Sequence, residues 1–287
     1  MRFASVGVDG ERRAAIVDGR KVALAASGSL DDLVRSGGEF SAGGREQDLA
    51  DVRLDAPLRP PVLLCCGQNY TGHLAEQTRP RRGEAEFFVK AGVTIASPDE
   101  PLVYPHSHTG KLDYETELGV VVGRDMRDVD PDDALDYVFG YVVLNDLSAR
   151  DRQFKSNGMS WPGTGKNFDG ATRLGALIVP AADVPDPQAL VVTTWVNGER
   201  RQLDTTANMV HSCAEVLSAF SRALTIPAGV IVGTGTPGGT ALGCDGELGG
   251  TGATPEGCVA ARYLEPGDTV VSEIEGVGSL EFDVVAG

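Results

Sequence analysis

The chain has 287 residues, 41% of them hydrophobic, enough to bury a sizeable core in one large domain or in one medium domain with a small companion. Its 25 Lys and Arg stand against 41 Asp and Glu, and a net charge of -16 repels a phosphate backbone or an anionic bilayer, which excludes nucleic acid and membrane as expected partners. The opening MRFASVGVDGERRAAIVDGR holds no apolar stretch suited to a signal peptide, and no later run approaches the ~20 apolar residues of a membrane span, so a cytoplasmic protein is expected.

Residues 1 to 58 carry short strand patterns (FASVGV, RAAIV, KVALA) around Gly turns, then a short helix starting near Ser29 with Asp31 and Asp32 in its first turn. They predict a small N-terminal α/β domain. The connector AGGREQDLADVRLDAPLRPP ends at Pro60 and Pro61, and the apolar run VLLCCG opens the main domain, set at residues 59 to 287. Strand patterns dominate from there: LGVVVG, YVFGYVVLN, GALIV, LVVTTWVNG, VIVGTG, TVVSEIEG and SLEFDVV. The best helix runs from Ser212 to about Leu224, with Ser212 and Glu215 as a capping box, Cys213, Val216, Leu217, Phe220 and Leu224 on one face, and Pro227 beyond its end. Few helices and many strands predict a β-rich α+β fold, a mixed sheet rolled or closed on itself and not a βαβ series. The Gly-rich stretch 238 to 257 is expected to be a mobile loop. The five cysteines, Cys65 and Cys66 adjacent and none in C-x-x-C spacing, read as reduced thiols.

In Asp113-Tyr-Glu115-Thr-Glu117, alternation along a strand points Glu115 and Glu117 the same way, at the entrance of a strand whose apolar run implies burial on both faces. Two like charges there call for a cation. Asp146, at the end of another apolar strand, offers a third hard oxygen, and three such ligands suit Mg²⁺, Mn²⁺ or Ca²⁺. On spacing alone, a Glu-x-Glu pair is more often a solvated strand face. His73 and Glu76 lie three apart, which a helical turn brings together, and a carboxylate beside a histidine orients the ring and raises its basicity. Alone, that pair is more often a solvated helix face.

The motifs DYETELGVVVG and YVVLNDLSARDRQ, with VLLCCGQNYTGHLAEQ, GKNFDG, MVHSCAEVLSAFSRALTIPAG, GTGTPGG and LEPGDTVVSEIEGVGSL in that order, resemble the fumarylacetoacetate hydrolase family over about residues 59 to 287. Residues 1 to 58 are similar to the small N-terminal domain that many members carry. The resemblance implies Glu115, Glu117 and Asp146 as ligands of a divalent cation, Mg²⁺ first, with Mn²⁺ or Ca²⁺ as alternatives. It implies His73 and Glu76 as an acid-base dyad on a lid, Lys166 in the catalytic set, and Tyr70, Arg150, Gln153 and Thr236 around a small keto-acid substrate. Three carboxylates around a divalent cation leave about one negative charge, so Arg150 and Lys166 are the cations expected to receive an anionic substrate. The implied activity is hydrolysis of a carbon–carbon bond in a 2,4-diketo acid or acylpyruvate, by a homodimer. Decarboxylation or tautomerisation of an oxaloacetate-like acid at the same site is the alternative, and a non-catalytic metal-binding scaffold is the rival from another class.

Two features depart from the family pattern. Thr172-Arg173-Leu174-Gly175-Ala176 replaces the usual Pro-x-Gly-Pro, adding a cation near the expected pocket, and residues 238 to 257 form a longer Gly-rich insertion. Both hint at a different substrate. Gly233 to Gly238 formally matches G-x-G-x-x-G, but no helix is expected to start after it, so a dinucleotide site is set aside. His106-Ser-His108 reads as a surface loop, and no G-x-S-x-G or H-E-x-x-H occurs.

Overall fold

The computed structural model describes residues 1–8, 10–44, 46–80, 83–154 and 161–287. Strands outnumber helices, as the alternating apolar runs predict. The large sheet has 13 strands, and its main path runs from the N-terminal strands Lys21–Leu24, Glu11–Asp18 and Arg2–Val8 through Leu177–Pro180 to Val138–Asp146, Thr116–Val122, Ile231–Gly233, Val62–Cys66 and Phe87–Ala91. Neighbours on this path are antiparallel except Ile231–Gly233 against Val62–Cys66, which is parallel. A second, five-stranded sheet contains Glu199–Thr205, Val191–Val196, Thr269–Ile274, Gly278–Val285 and Leu102–Val103. The sheets are mixed, and the large one keeps two free edges, so of the two expected forms it is a folded sheet and not a closed barrel.

Strand Thr116–Val122 is buried along its whole length, and Val138–Asp146 from Gly140 onward, which fits their near-continuous apolar composition. Their side chains alternate between two cores. Leu118, Val120, Val122, Tyr141 and Val143 face one, with Val216, Leu217 and Phe220 of helix Cys213–Ala223; Val121, Val142 and Leu144 face the other, with Leu30 and Val34 of the N-terminal helix Leu30–Ser36. Both helices begin with a complete capping box, at Ser29 with Asp32 and at Ser212 with Glu215. A division of the chain at residue 58 would pass through the second core.

The segment 238 to 257 differs from a mobile loop. It contains a one-turn helix, Ala241–Cys244, where none was expected, and Gly238, Gly239 and Gly250 lie against other backbone. A Cβ on Gly239, at φ +98, would sit 2.1 Å from the Arg201 carbonyl, and one on Gly250 2.3 Å from the Leu242 carbonyl. All five cysteines are free. Among the described residues no helix is long and apolar enough to cross a membrane.

Candidate metal centre and acid-base pair

Strand pairing builds the acidic cluster. Thr116 lies opposite Asn145 and Glu117 opposite Leu144, and the Asp146 amide donates to the Glu115 carbonyl at 2.8 Å, so the start of one strand meets the end of the other. Glu115, Glu117 and Asp146 are all buried, and each brings a carboxylate oxygen within 4.8 Å of the other two. Gly233 makes room for them, because a Cβ there would lie 2.5 Å from Glu117 Oε2.

Three buried cations answer these charges unevenly. Lys166 Nζ donates to Glu115 Oε2 at 2.5 Å and Asp146 Oδ2 at 2.6 Å. Lys90, also fully buried, donates to Asp146 Oδ1 and to the Ala171 carbonyl. The Arg150 guanidinium divides between Asp113 Oδ2 (2.8 Å), Glu115 Oε1 (2.5 Å) and Gln153 Oε1 (2.8 Å). Asp113 further accepts from the Ala241 and Leu242 amides, which explains the unexpected helix: its first turn is capped by a side chain from a remote strand. Four carboxylates thus face three cations, and the shortfall falls on Glu117, whose hydrogen bond comes from the Gly235 amide at 3.1 Å.

The pKa directions follow the same division. Burial works to raise Glu115, but Arg150, Lys166 and His73 outweigh it and hold the carboxyl well below the usual range. At Glu117, burial and the neighbouring Asp146 and Glu115 all push upward and leave it far above that range. A buried carboxylate set with one uncompensated member and all-oxygen donors fits a hard divalent cation.

His73 sits on the one-turn helix Thr71–Ala75, and its Nδ1 meets Glu76 Oε1 at 2.7 Å. Glu76 is itself held by the Gly-rich segment, accepting from the Gly239 amide and the Thr240 hydroxyl at 2.7 Å each. The side-chain amide of Gln77 approaches His73 Nε2 at 3.1 Å. His73, Glu115, Glu117, Arg150, Gln153, Lys166 and Thr236 all line one cavity of about 290 Å³, closed in by Phe87, Phe88, Phe154 and Leu242. Thr236 is fixed by donating to the Thr116 carbonyl and accepting from Gln202, both at 2.9 Å.

Asp146 stands with Glu115 and Glu117 in the cluster, fully buried and joined to the cavity lining through Lys166. Two residues lie elsewhere than the sequence suggests. Tyr70, implied as a substrate contact, is buried outside that lining; its backbone pairs with Met209, and its hydroxyl has no partner among the described residues. Arg173 is turned away from this cavity altogether and lines a second one. Residues the sequence reading passed over are Lys90, Asp113 as a holder of Arg150, and Gln77. A lysine inside the apolar run FFVKA was the visible signal for the first.

The profile of the family described as fumarylacetoacetate (FAA) hydrolase, C-terminal, matches residues 63–285. The oxaloacetate tautomerase YisK of Bacillus subtilis is 31% identical over 277 residues, 88% of this chain and 85% of that protein. Among solved structures, a fumarylacetoacetate hydrolase from the psychrophile Exiguobacterium antarcticum superposes with a TM-score of 0.83 at 33% identity over 100% of both chains. The maleylpyruvate hydrolase of Sphingobium sp. SYK-6, in complex with manganese(II) and pyruvate, superposes with a TM-score of 0.76 at 25% identity, again over 100% of both chains.

Proposed function

Because this chain belongs to the fumarylacetoacetate hydrolase family, we propose that it is a divalent-cation-dependent tautomerase, moving a proton at the carbon beside the keto group of a small 2-oxo dicarboxylate of the oxaloacetate class. The observation that carries this reading is a buried histidine, His73, that lines the same small cavity as Glu115, Glu117, Arg150 and Lys166 and is held from behind by Glu76. Glu115, Glu117 and Asp146 are the ligands in this reading, with Mg²⁺ first and Mn²⁺ or Ca²⁺ as alternatives. When bound, the cation supplies Lewis-acid polarisation of the keto oxygen. Arg150 and Lys166 receive the substrate's carboxylates, while Gln153 and Thr236 orient its polar atoms. With Nδ1 committed to Glu76, the ring exchanges the proton through Nε2, and Glu76 stabilises the imidazolium that results. The phenylalanines keep bulk water from the site.

The second reading is hydrolysis of a carbon–carbon bond in a 2,4-diketo acid or acylpyruvate, favoured by the likeness to the maleylpyruvate hydrolase. The same groups serve, with His73 deprotonating a water. Decarboxylation of an oxaloacetate-like acid differs only in what leaves, and a homodimer is expected under any of these readings. The test follows three signals with Mg²⁺ or Mn²⁺ present: ultraviolet decay of enol-oxaloacetate, pyruvate formed from oxaloacetate, and loss of acetylpyruvate. The tautomerase reading expects accelerated enol decay and no pyruvate. Pyruvate from acetylpyruvate with unchanged enol decay transfers the conclusion to the hydrolase, and no change in any signal to a non-catalytic scaffold.

A further inference from the structure

Two sequence features that the metal centre does not use, Arg173 and the His106-Ser-His108 loop, line the same place. It is a second cavity of about 800 Å³, walled also by Tyr104, Phe168 and Asn167. Arg173 is 1% exposed, and its hydrogen bonding is confined to one donation from Nη2 to the Glu100 carbonyl. Its Nε is buried without a partner, and no carboxylate forms an ion pair with it among the described residues. One face of the guanidinium is covered by the Phe282 ring, 4.8 Å away.

A buried guanidinium normally meets a carboxylate or phosphate, because leaving its five donors without acceptors in a dry setting is costly. Burial already pulls this one down from its ordinary pKa to about 10, and it still carries its charge at neutral pH. Four rings line the same cavity. Tyr104 and His106 stand 4.5 Å apart, centroid to centroid, and His108 and Phe168 5.6 Å. The acidic groups at the rim, Glu100 and Asp169, are solvent-exposed, where water and salt screen them.

We infer that this second cavity binds a small carboxylate with a flat, unsaturated body, its carboxylate on Arg173 and its body between the Tyr104–His106 and His108–Phe168 pairs. The site is separate from the metal centre and independent of which reaction occurs there. The two share one wall: Lys166 lines the metal-centre cavity, and the next residues, Asn167 and Phe168, line this one. His108 Nε2 also lies 3.0 Å from the Thr164 carbonyl, in the turn Pro162–Gly165 that leads to Lys166. A bound carboxylate therefore lies against the segment that holds a catalytic-site cation.

The test titrates benzoate into the full chain by calorimetry, with Mg²⁺ and saturating oxalate present to fill the metal centre. Wild-type protein should bind benzoate, whereas Arg173→Met should bind at least tenfold more weakly. His106→Leu, at an exposed position that leaves the core untouched, should weaken binding severalfold and covers the case in which Arg173→Met fails to fold. Inorganic phosphate, which lacks the flat body, should bind more weakly than benzoate. Absence of millimolar benzoate binding, equal binding in His106→Leu and wild type, or phosphate binding as tightly as benzoate would each overturn the inference. A change of oligomeric state in Arg173→Met on size exclusion would also overturn it, since the guanidinium would then serve a contact between copies of the chain.

Discussion

At the scale of single residues, the three clustered carboxylates are not equivalent, and the difference decides which substitution tests the proposed metal centre. Asp146 neutralises Lys90 and Lys166, so Asp146→Asn leaves buried cations short of their counter-charge and should cost roughly 3–5 kcal/mol, enough to confuse lost metal with lost fold. Glu117 is the carboxyl without a paired cation, pushed upward in pKa by burial and by Asp146 and Glu115. Glu117→Gln keeps an acceptor for the Gly235 amide, so the metal-free variant should melt no lower than wild type. It should lose the gain that a divalent ion confers on wild type, about 2.7 kcal/mol at roughly a hundredfold excess over Kd. Thermal melts with and without Mg²⁺ or Mn²⁺ check both halves, and a full metal-dependent gain in the variant would remove Glu117 from the ligand set. His73 separates holding the metal from moving the proton. His73→Ala should keep that metal-dependent gain while single-turnover rates fall on the order of 10² to 10⁴-fold. A wild-type rate would exclude this histidine as the base.

At the scale of elements, the Gly-rich segment is the wall that holds the acid-base pair. A Cβ on Gly243 would lie 2.5 Å from both Cδ and Oε2 of Glu76, so Gly243→Ala must push that carboxylate off its bonds to His73, Gly239 and Thr240. Turnover should fall on the order of 10²-fold, as for other displacements of about an ångström, with the metal-dependent melting gain intact. Unchanged turnover would show that the Glu76 contact is not needed. The same segment marks how far the sequence could be read. Strands Thr116–Val122 and Val138–Asp146 were legible from unbroken apolar runs, helix Cys213–Ala223 from its cap and its apolar face, and the shared direction of Glu115 and Glu117 from strand alternation. Helix Ala241–Cys244 was not legible, because the carboxylate that caps it, Asp113, is 128 residues from Ala241. Lys90 showed itself only as a charge inside the apolar run FFVKA, and its role stayed hidden because its partner Asp146 is 56 residues away. Arg173 was noticed but assigned to the wrong cavity. Its strand, Thr172–Leu174, pairs with Ile95–Ala96 in parallel, a tertiary choice that no local pattern encodes.

At the scale of the whole molecule, the N-terminal strands and the metal centre share one sheet and one core. Phe3 and Ala4 pair with Ile178 and Leu177, while Leu30 and Val34 pack in the cluster that holds Leu63, Val142, Leu144 and Ile231. Asp55 ties the junction through Arg12, Arg59 and Ser97. Burial works to raise its pKa, but the bonds from Arg59, Ser97 and the Ala56 amide outweigh that and lower it from 3.8 to about 2. A depressed folded-state pKa adds stability that is present above the unfolded value and lost as pH falls through the folded one. Asp55→Asn should therefore lower the melting temperature most near neutral pH, with the gap to wild type closing between about pH 4 and pH 2, and a gap constant over that range would show that the carboxylate charge does not contribute. Because that junction joins residues on both sides of position 58, the chain should unfold as one cooperative unit. Calorimetry should show a single transition whose calorimetric and van't Hoff enthalpies agree, and divalent cation should shift all of it upward, including signals from the first 58 residues. A fragment of residues 59 to 287 should lose cooperative unfolding, because it uncovers the edge at Leu177 and Ile178 and the face that Leu30 and Val34 cover. Two separate transitions, with only the later one moved by metal, would show instead that residues 1 to 58 fold on their own and merely dock onto the metal-binding part.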